Sequence, residues 1–342
     1  MSMRSSSFPL SRCILEFTTG RTAYNSRAAP DVIQLDEAQV EARLGKLDLV
    51  GLMRETLRAA AEGKGGGPTR ASLATANGWF GAMPAHTPGG LGAKLVVVIP
   101  GNAARGLPTH RAVVVLFEPE TGAAAAWIEA EAITRDRTAA VSVVATQALA
   151  ARPRGRHAIL GAGVQGQAHV DAFARAGLLK SLAVWSRDAA RADALVAHAR
   201  GELGVSAHRA ESADAAVRAA DVITTCTGAT EPLFAADSVA DGAHVNAVGA
   251  CVPDRRELPG ALVGTAALVV DDVAAARAEA GDVVLAVAED VASWDGVVPL
   301  GEVLAGRAVP RPGRASVFIS LGLGIEDVAT AVALIETAGG SR

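Results

Sequence analysis

The spacing of apolar residues changes character a little before the middle of the chain. Before that point, two short helical patterns come first. Asp36 opens one, and Asp48 is placed to cap a second in which Leu49, Leu52, Met53 and Leu57 recur on one face. Gly63 to Pro68 breaks this helix. Strand-like runs follow at 94–99, 112–117 and 123–128, with Glu120-Thr121-Gly122 as a turn between the last two. Consecutive strands joined by tight turns predict an antiparallel or mixed sheet. From Arg137 to Ala150 the pattern is helical, ended by Pro153 and Gly155. Strands and helices then alternate: strands at 157–160, 181–185, 221–225, 244–248 and 268–271, helices at 165–176, 189–203 and 211–220. That alternation predicts a doubly wound parallel sheet. A strand-like start and a clear helix at 316–338 close the chain and are expected to cross back to the first half.

The strand at 157–160 runs into Gly161-Ala162-Gly163-Val164-Gln165-Gly166, with a helix behind it. Gly161 permits a tight turn, Gly163 lets backbone approach a pyrophosphate, and Gly166 lets helix and strand pack closely. The helix start offers free N–H groups to phosphate. A Rossmann dinucleotide site is therefore expected in the middle of the chain. At the end of the next strand, where an acid would bind the 2′-hydroxyl of NAD, the chain reads Ser186-Arg187, and Asp188 is expected to cap the following helix. Serine does not repel a 2′-phosphate and arginine pairs with one. NADP(H) is thus the expected cofactor, with NAD(H) as the alternative. Thr225 and Thr227 follow a later strand, where hydroxyls commonly line such a crevice.

Composition narrows the partners. The chain has 342 residues, half of them hydrophobic, and a formal charge of −4, enough for two cores and no pointer to nucleic acid. No uncharged apolar run approaches the ~20 residues of a membrane span. Cys13, Cys226 and Cys251 lack metal-type spacing, so no metal is expected and a reducing, cytoplasmic setting fits. Residues 1–30, rich in serine and arginine, fit a transit peptide or a disordered or spurious extension; the second reading is adopted.

Candidate chemistry ahead of the glycine turn is cationic. Lys94 begins an apolar strand. Arg137 heads an apolar helix, where a cation opposes the dipole unless an anion sits nearby. Both observations suggest a pocket for an anionic ligand.

Taken together, these residues resemble the ornithine cyclodeaminase/mu-crystallin family. The resemblance rests on Pro68-x-Arg70, Lys94, Thr134-x-x-Arg137-Thr138-Ala139-Ala140, the glycine turn, and Asn246-Ala247-Val248-Gly249-Ala250 with Pro253. It continues through Arg256-Glu257-Leu258, Glu279-Ala280-Gly281-Asp282, Phe318-x-Ser320-Leu321-Gly322 and Glu326-Asp327. It implies an α/β fold: a Rossmann domain at 131–314, and a mixed α+β substrate-binding and dimerisation domain from 31–130 and 315–342. It further implies that Arg70, Lys94 and Arg137 hold a substrate carboxylate, with Lys94 able to move a proton. Met83 and Cys251 are expected at the substrate. Thr138, Gly161, Gly163, Val164, Gln165, Ser186, Arg187, Thr225, Thr227, Val248, Gly249 and Ser320 are expected at the cofactor. Family cyclodeaminases and alanine dehydrogenases carry an aspartate where this chain has Cys251, and Asp254 lies out of register. Ketimine and pyrroline-carboxylate reductases of the family lack it too.

The resemblance therefore implies a homodimeric, NAD(P)H-dependent reductase of a small ketimine carboxylate, with an amino or imino acid as substrate. A cyclodeaminase-type lyase, an alanine-type dehydrogenase and a non-catalytic NADP(H)-binding protein are the alternatives. Asn102 to Thr109 and Trp79, Phe80 and Trp294 are read as turn chemistry and core packing.

Overall fold

In the computed structural model, residues 32–339 are described; the expectations for residues 1–30 lie outside them. Two sheets organise the chain. The first has six strands in the order β1 (Ile33–Leu35), β6 (Ala124–Glu129), β5 (His110–Phe117), β4 (Gly90–Val98), β3 (Gly78–Thr87) and β2 (Ala71–Thr75). It is antiparallel except for the β1–β6 pair. The strands β2 and β3 were not expected; Gly81 and Pro84 interrupt the apolar pattern there, and their pairing comes from the hairpin with β4.

The period of two along β4 explains the placement of its lysine. Gly90, Gly92, Lys94 and Val96 face one way, and in β5 Ala112, Val114 and Leu116 do the same. This face is covered by helix α11 (Gly324–Gly339) and packs with α1 (Glu37–Leu44) into one core. Met83, Lys94, Val114 and Ile128 form one row across the strands, and Lys94 is its sole charge.

The second sheet is all parallel, with eight strands in the order β13 (Val298–Pro299), β12 (Ala267–Val270), β14 (Ser316–Ile319), β11 (His244–Ala247), β10 (Val222–Thr225), β7 (Gly155–Leu160), β8 (Leu179–Trp185) and β9 (Ala207–Arg209). The strand order reverses between β7 and β10, which opens a crevice at their carboxyl ends. The expected domain boundary shifts here. Strand β14 lies between β11 and β12 of the second sheet, so only α11 returns to the first.

Helix α2 (Leu49–Ala61) carries the expected Asp48 cap, and α3 (Glu131–Leu149) connects the two halves. The third helix starts at Glu131, six residues before its expected head, so Arg137 lies in its interior. Among the described residues, no helix is long and apolar enough to cross a membrane.

Candidate active site

The glycine turn joins β7 to α4 (Val164–Arg175). Gly161 has φ +108°, and a Cβ there would stand 2.6 Å from the Cys226 carbonyl oxygen. A Cβ on Gly166 would stand 1.9 Å from the Gly161 carbonyl oxygen, so only glycine lets helix and strand close together. Gly163 differs: a Cβ there meets nothing within 4 Å, and no side chain caps the helix it begins. The first N–H groups of α4 thus face open space, and Val164 beside them is exposed. This cradle fits a dinucleotide pyrophosphate.

A cavity lies on either side of the turn. One, of about 330 Å³, is lined by Gly161, Ser186, Arg187 and Thr227. Arg187 is exposed and has no acidic partner within 4 Å among the described residues. Asp188 caps α5 (Ala189–Gly201) as expected, accepting from the Arg191 N–H at 3.1 Å. The other cavity, of about 170 Å³, is lined by Thr138, Gln165, Val248 and Ser320 from the cofactor set, and by Arg70, Met83, Lys94, Arg137 and Cys251 from the substrate set. Gln165 therefore stands where the glycine turn meets the cation site, and its buried Oε1 has no partner.

Three expected cofactor contacts are occupied otherwise. Thr225 is fully buried and donates its hydroxyl to Glu257 Oε2 at 2.7 Å, so its side chain does not reach the crevice. The Thr227 hydroxyl donates to Glu257 Oε1 at 2.7 Å, and the Gly249 N–H to Oε2 at 2.7 Å. Glu257 pulls the loops after β10 and β11 inward, and its own N–H and that of Leu258 are held by Asp282 Oδ1 at 2.7 and 2.8 Å. A buried carboxylate 30 residues on from Thr227 engages both hydroxyls; Thr225 is turned away from the crevice, while Thr227 still lines the cavity beside Gly161.

The three cations do share one cavity, but the charge opposite them comes from the protein. Lys94 Nζ lies 2.8 Å from Asp327 Oδ2 and donates to Thr134 Oγ1 at 3.4 Å. Arg137 donates from Nε to Asp327 Oδ1 at 3.1 Å and from Nη1 to Glu326 Oε2 at 2.7 Å. Its guanidinium lies against Gly322 (φ +81°), where a Cβ would come within 2.5 Å of Nη1. Asp271 fixes that bend by accepting from the Leu321 and Gly322 N–H groups at 2.5 and 2.7 Å. The expectation that an unbalanced Arg137 signals an anionic ligand is corrected: Glu326 and Asp327 balance it. Arg70 is less committed. Its Nη2 donates to the Leu321 carbonyl at 2.9 Å and lies 3.7 Å from Glu279 Oε2, its guanidinium sits 5.7 Å from the Trp79 ring centre, and its buried Nε is unpartnered.

Burial sets the titration of this cluster. It pulls Lys94 down to about 8, with Asp327 opposing and Arg137 and Arg70 adding repulsion. Burial alone would lower Arg137, yet Asp327 and Glu326 hold it above its ordinary value. Burial pushes Glu326 up to about 8, despite Arg137. Asp327 faces the same burial, but Arg137 and Lys94 together keep it below the usual range.

Cys251 lines the cavity as a neutral thiol. Burial pushes it up to about 12, and it donates to the Val248 and Ser320 carbonyls at 3.3 and 3.5 Å, so it is a wall and not a nucleophile. Asp254 is exposed and outside the cavity. Trp294 lies under Arg277 at 4.8 Å, away from the site. His110, Thr134, Trp79 and Asp327 were not among the expected site residues. His110 was findable: it shares the inward parity of Ala112, Val114 and Leu116, and burial with nearby Lys94 lowers it to about 4, leaving it neutral.

Known proteins resemble this chain over most of its length. The model of the ornithine cyclodeaminase/mu-crystallin family matches residues 30–341. Ketimine reductase mu-crystallin of Rattus norvegicus is 37% identical over 314 residues, covering 89% of this chain and 96% of that protein. The structure of Thermococcus litoralis Δ1-pyrroline-2-carboxylate reductase in complex with NADH and L-proline superposes with TM-score 0.85 at 29% identity, covering 90% of this chain and 97% of that one. An archaeal alanine dehydrogenase dimer with bound NAD gives TM-score 0.84 at 32% identity, covering 90% and 96%. The chain belongs to the ornithine cyclodeaminase/mu-crystallin family.

Proposed function

We propose that this family member is an NAD(P)H-dependent oxidoreductase that reduces the C=N bond of a small ketimine carboxylate of the Δ1-pyrroline-2-carboxylate kind. One observation carries the reading: Arg70, Lys94 and Arg137, brought from separate elements, line a single small cavity that the first turn of the dinucleotide helix also lines through Gln165. Arg70, with its unpartnered Nε, and the remaining N–H groups of Arg137 receive the substrate carboxylate, with Lys94 adding its charge beside them. A bound dihydronicotinamide supplies the hydride. The imine carbon takes that hydride, and its nitrogen takes a proton from Lys94, whose lowered pKa suits it to release one near neutrality. The product is the amine. Orientation by the cations accounts for most of what the protein adds.

Arg187, exposed at the rim of the second cavity, supports NADPH as the preferred cofactor. The outer face of the first sheet supports a homodimer. Leu91, Phe117 and Trp127 are 41%, 37% and 47% exposed on it among the described residues. Sedimentation at twice the chain mass is expected, and Trp127→Lys should halve it. Cys226 and Cys251 are free thiols, which suits the cytoplasm.

The test is a panel: NADPH or NADH with cyclic imino acids, and NAD⁺ with ornithine. Imine-dependent oxidation of NADPH, with a lower KM than for NADH, is expected. Proline and ammonia from ornithine without net cofactor change would make the protein a lyase. Tight cofactor binding with no turnover on either arm would make it a binding protein.

A further inference from the structure

The proton-donating lysine is held by groups that have no role in binding substrate. An ammonium has three N–H donors. On Lys94 one of them donates to Thr134 Oγ1 at 3.4 Å, and the ammonium is ion-paired with Asp327 Oδ2 at 2.8 Å. We propose that Asp327 and Thr134 are positioning residues that fix the Lys94 ammonium so that a remaining N–H serves the substrate nitrogen. This rests on the reading of Lys94 as the proton source.

The geometry leaves each partner little freedom. The Thr134 hydroxyl donates to the Ala130 carbonyl at 2.8 Å, one turn back on α3, so its oxygen faces Lys94 only as an acceptor. Asp327 is fully buried in the first turn of α11, where a helix start favours a carboxylate. Its second oxygen accepts from Arg137 Nε at 3.1 Å. One carboxylate thereby sits between two cations that would otherwise repel each other, and sets their spacing. Lys94 itself is 2% exposed, so bulk water has little access to these contacts. The charged and titratable groups facing it are Asp327 of α11, Arg137 of α3, Arg70 ahead of β2 and His110 of β5; Glu326 of α11 bears on it through Arg137.

Proton donation requires the ammonium form, so the rate falls as pH rises through the Lys94 pKa. Asp327 is the group that keeps Lys94 protonated against burial and two arginines. In Asp327→Asn the alkaline limb of kcat should move to lower pH by roughly one unit or more, with kcat falling further than the KM for NADPH rises. A purely structural role would lower the amount of folded enzyme and leave the limb in place. Thr134→Val keeps size and charge and removes the hydroxyl, both its acceptor for Lys94 and its donor to the Ala130 carbonyl. It should cost roughly three- to tenfold in kcat, and Thr134→Ser should restore it. An unmoved alkaline limb in a folded Asp327→Asn, or wild-type kcat in Thr134→Val, overturns the proposal. If Asp327→Asn does not fold, the threonine pair decides alone. Lys94→Met separates the two levels: full imine reduction by that variant would refute the lysine as donor, whereas absence of turnover in the wild type would refute the reductase reading itself.

Discussion

The molecule buries two groups of carboxylates and neutralises them by different means. At the cation site, Glu326 and Asp327 are met by Arg137 and Lys94, charge against charge. Behind the cofactor crevice, Glu257 is met by four neutral donors, the Thr225 and Thr227 hydroxyls and the Thr227 and Gly249 N–H groups, at 2.6–2.7 Å. Asp282 is met by two backbone N–H groups. The contrast follows from the task. A carboxylate held by backbone donors ties loops together and has nothing mobile to offer. A carboxylate held by side-chain cations leaves those cations with further N–H groups beside a cavity. The first kind is a joint and the second a poised site.

Arg137→Ala is the most severe way to test this division. It strands Glu326 and Asp327 beside Lys94 alone, and leaving a buried charge uncompensated costs about 3–5 kcal/mol of stability. Turnover should fall by roughly 10²–10³-fold in kcat/KM, while fluorescence titration shows cofactor affinity near that of the wild type. Parallel loss of cofactor binding would mean the two clusters are not separate.

Glu257→Gln probes the other cluster and should be milder. Each Glu257 oxygen accepts two donors, so an amide group meets two N–H or O–H donors whichever way it is turned. The KM for the cofactor should rise roughly tenfold and Tm fall by about 4–8 °C, with substrate KM unchanged at saturating cofactor. A change confined to substrate KM would reverse the assignment.

The smallest effect is on pH dependence. Burial, with Glu257 nearby, pushes Asp282 up to about 7 from its ordinary 3.8. The stability linked to its proton is complete below the ordinary value and lost as pH rises through about 7. Asp282→Asn keeps an oxygen for the two N–H groups and cannot lose a proton. Its Tm should therefore decline less than that of the wild type between pH 5 and 8. Some slope should persist, because Asp271 and Glu326 are pushed up to about 6 and about 8. An unchanged slope would place the whole dependence at the cation site.

Which parts were readable from sequence follows from how far apart the determining contacts lie. The glycine turn is set within a few residues and could be read directly, whereas the run after Lys94 is apolar on both faces and left its inward parity to the pairing with β3 and β5. Arg137 needs a partner 190 positions away, so its charge looked unbalanced until α11 was in place. Thr225 and Thr227 sit where a Rossmann crevice uses hydroxyls, and only the fold shows Glu257 beneath them. The β2–β3 hairpin was hidden because glycine and proline occupy positions that pairing with β4 tolerates. Strand β14 entered the second sheet between two earlier strands, an order no local pattern encodes.

Helix α11, the last element of the described fold, carries both acids that answer the cations. During synthesis on a ribosome, the first sheet and α3 emerge long before it, with Lys94 and Arg137 lacking their counter-charges. A message truncated upstream of Glu326 therefore yields a polypeptide in which Lys94 and Arg137 have neither of these acids to pair with.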